Sequence, residues 1–181
     1  MHPAINARSY EKPEDLWRKT MGTKESASNI LLIIPCGKEK SIQKGEKKKA
    51  RDVYSSPFFK ETLSYADKFH PDHFRILSTK YGLINGDTEI EWYEKENFSD
   101  EVRALIATQI DQQDLRKYRQ IIALVSSPSY LKIVTDIFSL KQQNICSPLN
   151  RFFHLNGQKW NPMRKDIRER IDTGKPFECQ S

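Results

Sequence analysis

The stretch "LLIIPCGKEK", residues 31–40, changes abruptly from aliphatic to polar residues. With Ile30 before it, the apolar part is a continuous run, which is typical of a strand that is covered on both faces in a parallel sheet. Pro35 and Gly37 are expected to end this strand. The cysteine and the lysines of the stretch are therefore predicted to lie at the carboxyl end of a buried strand.

The same succession of apolar strand, polar turn and helix occurs twice more. "FRILS", residues 74–78, precedes the turn "TKYGLING", and "QIIALVSS", residues 120–127, also ends in polar residues. Helical patterns follow the three turns, beginning at Pro57, after the N-cap residue Ser99, and at Pro128. This alternation predicts an α/β fold, a three-layer sandwich with a mainly parallel central sheet. The three turns would share one edge of the sheet, where open α/β sheets bind ligands.

Length and composition indicate one domain with a heavily charged surface. Of the 181 residues, 37% are apolar and 30% are charged, and the formal net charge is +6. Residues 1–28 are polar and are predicted to form an N-terminal arm, followed by a single α/β domain at residues 29–181. The positive charge favours a polyanionic partner, although many basic proteins bind no nucleic acid.

The apolar runs and the cysteines of the sequence indicate in which cellular compartment the protein is found. No apolar run approaches the ~20 residues of a membrane helix, and the first residues lack the apolar core of a signal peptide, so we expect a cytoplasmic protein without membrane contact. Cys36, Cys146 and Cys179 have no metal-ligand spacing, so no metal site is predicted. Their odd number points to a reducing compartment. The Walker A spacing is absent, so a nucleoside triphosphate is not implied, and no cofactor is predicted.

The most basic segment lies between the first strand and the first helix. Residues 38–51, "KEKSIQKGEKKKAR", contain seven cationic side chains and two glutamates. A segment of this charge is expected to be a mobile loop that does not pack. The predicted contacts with a nucleic-acid backbone come from it: Lys40, Lys47, Lys48, Lys49 and Arg51.

The first polar turn offers three candidate residues. Gly37 lets the backbone approach a ligand closely, and adjacent N–H groups can form a nest for an anion to which Lys38 adds a charge. Cys36 has two interpretations that the sequence leaves open. It is either a small buried residue, the commoner fate of a cysteine, or a nucleophile whose thiolate is favoured by Lys38.

The segment before the first helix adds a carboxylate and a phenol. Asp52 can activate a water or stabilise the developing positive charge on a sugar, and Tyr54 stands two residues further on. An ion-pairing carboxylate at the helix entry is the equally favoured alternative for Asp52.

The motifs "STKYGL" and "EIEWYE" contain the remaining candidate site residues. Lys80 and Tyr81 together can hold a phosphate and stack a base, with Ser78 at the strand exit. The alternative is that this segment is only a tight turn at the end of the strand, with the side chain of Tyr81 packed into the protein. In the second motif Tyr93 stands among three glutamates. One of them can serve as an acid or a base, but three carboxylates in six residues more often indicate a solvated edge.

These motifs carry a family resemblance. The segments "IIPCGKEK", "ARDVYSSPFFKETLSYA", "FRILSTKYGLI" and "EIEWYE" resemble a family of uncharacterised phage and bacterial domains. The family pattern is an apolar strand into P-C-G/S-x-K, then A-x-x-L-Y, I-L-S-A-K-Y/H-G-L and I-x-x-Y. Val53 stands where leucine is usual, and Thr79 stands where alanine is usual. That family is distantly similar to the central domain of archaeosine synthase and to the uracil-DNA-glycosylase type of α/β sandwich.

The resemblance implies a protein that handles a base within DNA or RNA. The positions that match the shared motifs are Cys36, Lys38, Tyr54, Ser78, Lys80, Tyr81 and Tyr93. Asp52 falls on a variable position of the family pattern. With the fold-level similarity to uracil-DNA glycosylases, the resemblance implies a uracil-DNA-glycosylase-like fold.

Three functions are therefore open. The leading hypothesis is an N-glycosidase that removes a modified or damaged base from nucleic acid, most readily DNA, with catalytic residues Asp52, Lys80 and Cys36. Its predicted substrate-binding residues are Gly37, Lys38, Tyr54, Ser78, Tyr81 and Tyr93. The second hypothesis is a non-catalytic nucleic-acid-binding module of a phage or antiphage system. The third is a deazapurine base-modifying enzyme that uses Cys36.

Overall fold

The structure is a computed structural model that describes residues 29–139 and 143–179. The predicted N-terminal arm, residues 1–28, lies outside the described residues. The strands are β1 (Ile30–Pro35), β2 (Lys47–Lys49), β3 (Phe74–Ser78), β4 (Gly82–Ile84), β5 (Glu89–Glu91), β6 (Gln120–Ala123) and β7 (Asn144–Cys146). The α-helices are α1 (Ala50–Val53), α2 (Pro57–Phe69), α3 (Asp100–Gln112), α4 (Pro128–Phe138) and α5 (Trp160–Thr173). Within the described residues, 3₁₀ segments occupy Leu115–Lys117 and Asn150–Lys159.

The central sheet has five strands in the order β4-β3-β1-β6-β7. Strand β1 pairs in parallel with β3 and β6, and β6 pairs in parallel with β7. Strand β4 is the one antiparallel member, opposite β3. Leu31, Leu32, Ile33 and Ile34 are all 0% exposed, because both faces of this central strand are covered. The prediction of a mainly parallel sheet is confirmed.

Helices flank this sheet. The chain passes from β1 through α2 to β3 on one side, and then through α3 back to β6 on the other side. Because parallel crossovers are right-handed, these opposite directions place α2 and α3 on opposite faces of the sheet. Helix α5 packs against α2, and α4 packs against α3.

The three predicted helix starts are confirmed, and side-chain caps mark two of them. The Ser56 hydroxyl accepts a hydrogen bond from the Phe59 backbone N–H at 3.3 Å, with Pro57 in the first turn of α2. Ser99 accepts from the Val102 N–H at 3.2 Å at the start of α3. These side chains satisfy donors that the first turn of a helix leaves free.

The expectation that residues 38–51 form an unpacked loop is wrong. Ile42 is buried, and the three lysines of β2 pair antiparallel with β5. Lys47 lies opposite Glu91, with 3.1 Å between Nζ and Oε1. The glutamates of β5 stand across from the lysines of β2. Their negative charge compensates the positive charge of the lysines, so this basic segment can pack.

Two of the cysteines form a disulfide, which was not anticipated from their spacing. Cys146 in β7 is bonded to Cys179, 33 residues later, and Cys36 is free and buried. A bonded pair is not what the expected reducing compartment favours, and that expectation stays a prediction. Within the described residues, no helix combines the length and apolar character needed to cross a membrane.

Candidate functional site

The polar turns after β1 and β3 meet at the carboxyl edge of the sheet. Pro35 pairs with Leu77, and the Cys36 N–H donates to the Leu77 carbonyl at 3.0 Å. Strand β6 ends beside them, since the Leu124 N–H donates to Ile33 at 2.9 Å. The edge that topology predicts for ligand binding therefore carries the motif residues of the sequence.

A buried hydroxyl cluster lies under this edge. The Tyr54 and Tyr93 hydroxyls share a hydrogen bond of 2.7 Å, and the Ser78 hydroxyl is 2.9 Å from that of Tyr93. The Ser78 oxygen also accepts from the backbone N–H groups of Lys80 and Tyr81, at 3.2 and 3.0 Å. Burial, and then the nearby Cys36, raise the pKa of the Tyr54 and Tyr93 phenols. These phenols therefore stay protonated and serve as hydrogen-bonding groups.

Cys36 lies next to this cluster. Its side chain is 5% exposed, and its Sγ is 3.3 Å from the hydroxyl of Tyr130, at the start of α4. Burial raises the pKa of Tyr130, and Cys36 raises it further. The thiol and the phenol therefore form a close polar pair beneath the edge.

Three ammonium groups stand over the buried phenols. Lys40 Nζ is 4.2 Å from the ring centroid of Tyr93, and Lys80 Nζ is 5.8 Å from the same ring. Lys95 Nζ is 5.0 Å from the ring of Tyr130. Burial lowers the pKa of Lys40, and Lys95 lowers it as well, whereas Cys36 opposes this shift. In the part of the chain that the structure describes, none of the three has a carboxylate partner, so they remain available to an anion.

The Cys36 cleft opens between the turn after β1 and the starts of α2 and α5, with a volume of about 430 Å³. Its aromatic wall is Phe58 and Trp160, whose ring centroids are 5.4 Å apart in an edge contact. Trp160 is 42% exposed. The remaining lining residues are Pro35, Cys36, Gly37, Lys38, Glu39, Ser56, Pro57, Lys95, Ser126 and Arg164.

A second cavity, the Thr79 cleft, has a volume of about 510 Å³ and lies beside the turn after β3. Its lining residues are Lys44, Gly45, Thr79, Lys80, Trp92, Tyr93, Glu94, Glu96, Asn97, Ser99 and Val102. Tyr93 and Lys80 line this second cleft and do not line the Cys36 cleft.

The structure places most of the predicted site residues together, but not Asp52. Cys36, Gly37 and Lys38 line the Cys36 cleft, and Lys80 and Tyr93 line the Thr79 cleft. Tyr54 and Ser78 lie in the hydroxyl cluster, and the half-buried Tyr81 packs edge-on against Tyr93 with 5.4 Å between centroids. Asp52 is exposed on α1 and lines neither cleft, and its backbone carbonyl accepts from Ser41 at 2.6 Å.

Most of the cations predicted to contact a nucleic-acid backbone face carboxylates instead. Lys47 pairs with Glu91, Lys49 is 3.1 Å from Asp87, and Arg51 is 2.8 Å from Asp67. Lys48, also in β2, is exposed. Lys40 alone of the predicted set lies over the site, above Tyr93.

Sequence reasoning missed the far wall of the Cys36 cleft. Trp160 and Arg164 lie in the last helix, and Lys95 directly follows the motif "EIEWYE", whose glutamates suggested a solvated edge. Arg164 is held by Glu61, with both carboxylate oxygens about 3 Å from its Nε. The one feature of the sequence that could have indicated this wall is "WNPMRK" at the start of α5, an aromatic residue followed by cations. This segment is far from Cys36 in the sequence, so the sequence alone does not place the two in one cleft.

Comparison with known proteins identifies a family and no activity. The model of a family of unknown function, DUF6884, matches residues 31–162. Neither the curated proteins nor the solved structures contain a match to the chain. The uracil-DNA-glycosylase-like fold therefore stays a prediction. In the described ranges, 29–139 and 143–179, no three or more His, Cys, Asp or Glu side chains are grouped so that they could hold a metal ion.

Proposed function

The chain belongs to the family of unknown function DUF6884, and we propose that it is an enzyme that processes a base within nucleic acid. The Cys36 cleft would take one nucleotide of the strand, and the favoured reaction is hydrolysis of the N-glycosidic bond. The family match at residues 31–162 includes every residue that lines this cleft except Arg164.

One observation carries the proposal: the Cys36 cleft combines an aromatic wall with a cationic rim. The exposed Trp160, braced by Phe58, offers a surface on which a base can stack. Lys38 and Lys95 offer charge to a phosphate. The amino end of α2, at Pro57, lines the same cleft and has no acidic residue in its first turn, so no carboxylate there neutralises its partial positive charge.

The carboxylate for hydrolysis would be Glu39 and not Asp52. Among the described residues that line the Cys36 cleft, only Glu39 carries a carboxylate. In this role it would direct water to the sugar C1′ and stabilise the developing positive charge. The C1′–O bond forms as the C1′–N bond breaks, and the base leaves with the electron pair and takes up a proton. This assignment transfers the predicted role of Asp52 to a residue in the cleft.

The test is formation of abasic sites in single-stranded DNA that carries modified or damaged bases, detected as alkali-sensitive breaks. Glu39→Gln should lower the rate by about 100-fold, the usual cost of losing a general base. Asp52→Asn decides between the two carboxylates. Loss in Asp52→Asn with full activity in Glu39→Gln would return the role to Asp52, and tight binding without any abasic sites would favour the binding-module hypothesis.

The position of Cys36 favours a second candidate, modification of a deazapurine nitrile. Cys36 lies in the wall of the cleft and beside Tyr130. Its sulfur would bond to the nitrile carbon, and the nitrile nitrogen would take the thiol proton. Full activity of Cys36→Ser on such a substrate would exclude this candidate.

A further inference from the structure

The Thr79 cleft is not used by the proposed reaction, yet it shares a wall with the Cys36 cleft. That wall is the segment 94–96. Lys95 lines the Cys36 cleft, whereas Glu94 and Glu96 line the Thr79 cleft. Because neighbouring residues of this short segment line different clefts, the two clefts are next to each other. One substrate can therefore contact both.

Thr79, which lines this cleft, carries a buried hydroxyl group that has no partner among the described residues. Thr79 is 5% exposed, and its Oγ1 forms no hydrogen bond to any part of the protein that the structure describes. Buried polar groups in folded proteins are normally paired, and an unpaired one reduces stability. A polar ligand that displaces the atoms covering this oxygen can supply the missing partner.

The charged groups of the Thr79 cleft match a nucleotide. Lys44 and Lys80 provide ammonium groups for a phosphate. Glu94 and Glu96 provide carboxylates that accept hydrogen bonds from the exocyclic amino group of a base, as glutamate does with cytosine N4. A thymine instead presents its O4 acceptor, which a carboxylate repels.

Asn97 extends the same recognition chemistry. Its side-chain amide lines the cleft and offers both a donor and an acceptor. Asparagine pairs in this way with the N6 amino group and N7 of adenine. The mixture of two lysines, two glutamates and one amide thus suits a phosphate joined to an amino-bearing base better than a simple anion.

We propose that the Thr79 cleft binds the nucleotide adjacent to the one in the Cys36 cleft, and that this neighbour carries cytosine or adenine. The inference rests on the proposed function, because the Cys36 cleft must hold a nucleotide of the same strand. Its consequence is a substrate that is a polynucleotide with a preferred sequence context, not a free nucleoside.

The test is fluorescence anisotropy with labelled single-stranded oligo(dC), oligo(dA) and oligo(dT) of about a dozen nucleotides, within the usual site sizes of strand-binding proteins. The protein should bind oligo(dC) and oligo(dA) about tenfold more tightly than oligo(dT), as expected for one good base contact. The double variant Glu94→Gln/Glu96→Gln should reduce this preference to about twofold.

Thr79→Val and Trp160→Ala separate the two clefts. Thr79→Val should weaken oligo(dC) binding without unfolding the protein, because among residues 29–139 and 143–179 its hydroxyl has no partner to lose. Thr108→Val, on the exposed side of α3, is the matched control and should leave the affinity for oligo(dC) unchanged. Trp160→Ala should weaken all three oligonucleotides alike.

The outcomes distinguish the inference from the function on which it rests. Equal affinity for the three oligonucleotides, with binding that still depends on Trp160, would overturn the neighbour site and leave the proposed function standing. A base preference that persists in both Thr79 cleft variants would also overturn it. Absence of binding to all three would overturn both proposals.

Discussion

At the scale of single residues, Ser78 has the most connected side chain of the site. Its oxygen meets the hydroxyls of Tyr54 and Tyr93 and the backbone N–H groups of Lys80 and Tyr81. Ser78 is 0% exposed, so water cannot replace a lost partner. This one hydroxyl therefore connects the turn after β3 to the rings beneath the lysines.

Ser78→Ala should lower the free energy of unfolding by about 2–3 kcal/mol, because it leaves buried donors without an acceptor. Urea unfolding with an unchanged denaturant dependence is the measurement. Ser64→Ala, where an exposed hydroxyl donates to the Lys60 carbonyl, is the control and should cost less than about 0.5 kcal/mol. A loss in Ser78→Ala no larger than in the control would show that the cluster adds no stability.

His70 gives a second prediction at this scale. It is 7% exposed, its Nε2 has no partner among the described residues, and burial followed by His73 lowers its pKa from 6.5 to about 4. Above pH 6.5 the imidazole is neutral in both the folded and the unfolded state. Between pH 6.5 and 4 the unfolded state binds the proton first, so stability should fall by about 2–3 kcal/mol as pH is lowered.

The variant His70→Gln isolates this contribution from carboxylates and from His73. The difference in unfolding free energy between pH 7 and pH 5 should be smaller in the variant than in the parent protein. An equal change in unfolding free energy for the two proteins between pH 7 and pH 5 would show that His70 binds its proton equally well in the folded and the unfolded state.

At the scale of elements, pairing between β2 and β5 decides which lysines can meet a ligand. Lys47 and Lys49 are engaged by Glu91 and Asp87, while Lys38 and Lys95 line the Cys36 cleft. The density of lysines along the chain is therefore a poor guide to the strength of a phosphate contact. The lysines without a carboxylate partner are the ones that release counterions on binding.

Lys95→Ala should lower the slope of log affinity for single-stranded DNA against log salt by about 0.7, the value for one phosphate contact. Lys47→Ala should leave that slope nearly unchanged, because Glu91 already compensates the charge. Anisotropy titrations over a range of salt concentrations measure both slopes. The reverse order of effects would assign the DNA contact to β2.

At the scale of the whole molecule, the disulfide joins two distant parts of the chain. Cys146 lies in the edge strand β7, and Cys179 follows Phe177, whose ring packs 5.3 Å from that of Tyr65. The Phe177 N–H also donates to the Tyr65 hydroxyl at 2.8 Å. The bond therefore links the sheet edge to a segment that packs on α2.

Removing the disulfide with Cys146→Ser/Cys179→Ser should lower the free energy of unfolding by about 3–4 kcal/mol, from the entropy of a loop of 33 residues. Reducing the parent protein should produce a similar loss, whereas reductant should not affect the double variant. Denaturant titrations with and without reductant make the comparison. Equal stability of the oxidised parent and the double variant would rule out this contribution.

The fold could be predicted from the sequence further than the site could. Three strands and the starts of three helices could be predicted, since apolar runs and helix caps are signals that lie within a few residues of the sequence. The edge strands β4 and β7 are three residues each and too short for a periodic signal. The hydroxyl cluster follows from motifs at strand ends, whereas Trp160 and Glu39 become site residues only through the packing of α5 and the turn after β1.

By itself, the sequence determined that a central apolar strand enters a polar turn, and that three such units build a mainly parallel sheet with its turns at one edge. It could do so because burial of a parallel strand requires apolar residues on both faces. Only the tertiary structure decided that Asp52 lies away from the clefts, that β5 compensates the lysines of β2, and that Trp160 lines the same cleft as Cys36. Those outcomes depend on contacts between distant segments, which composition and periodicity do not encode.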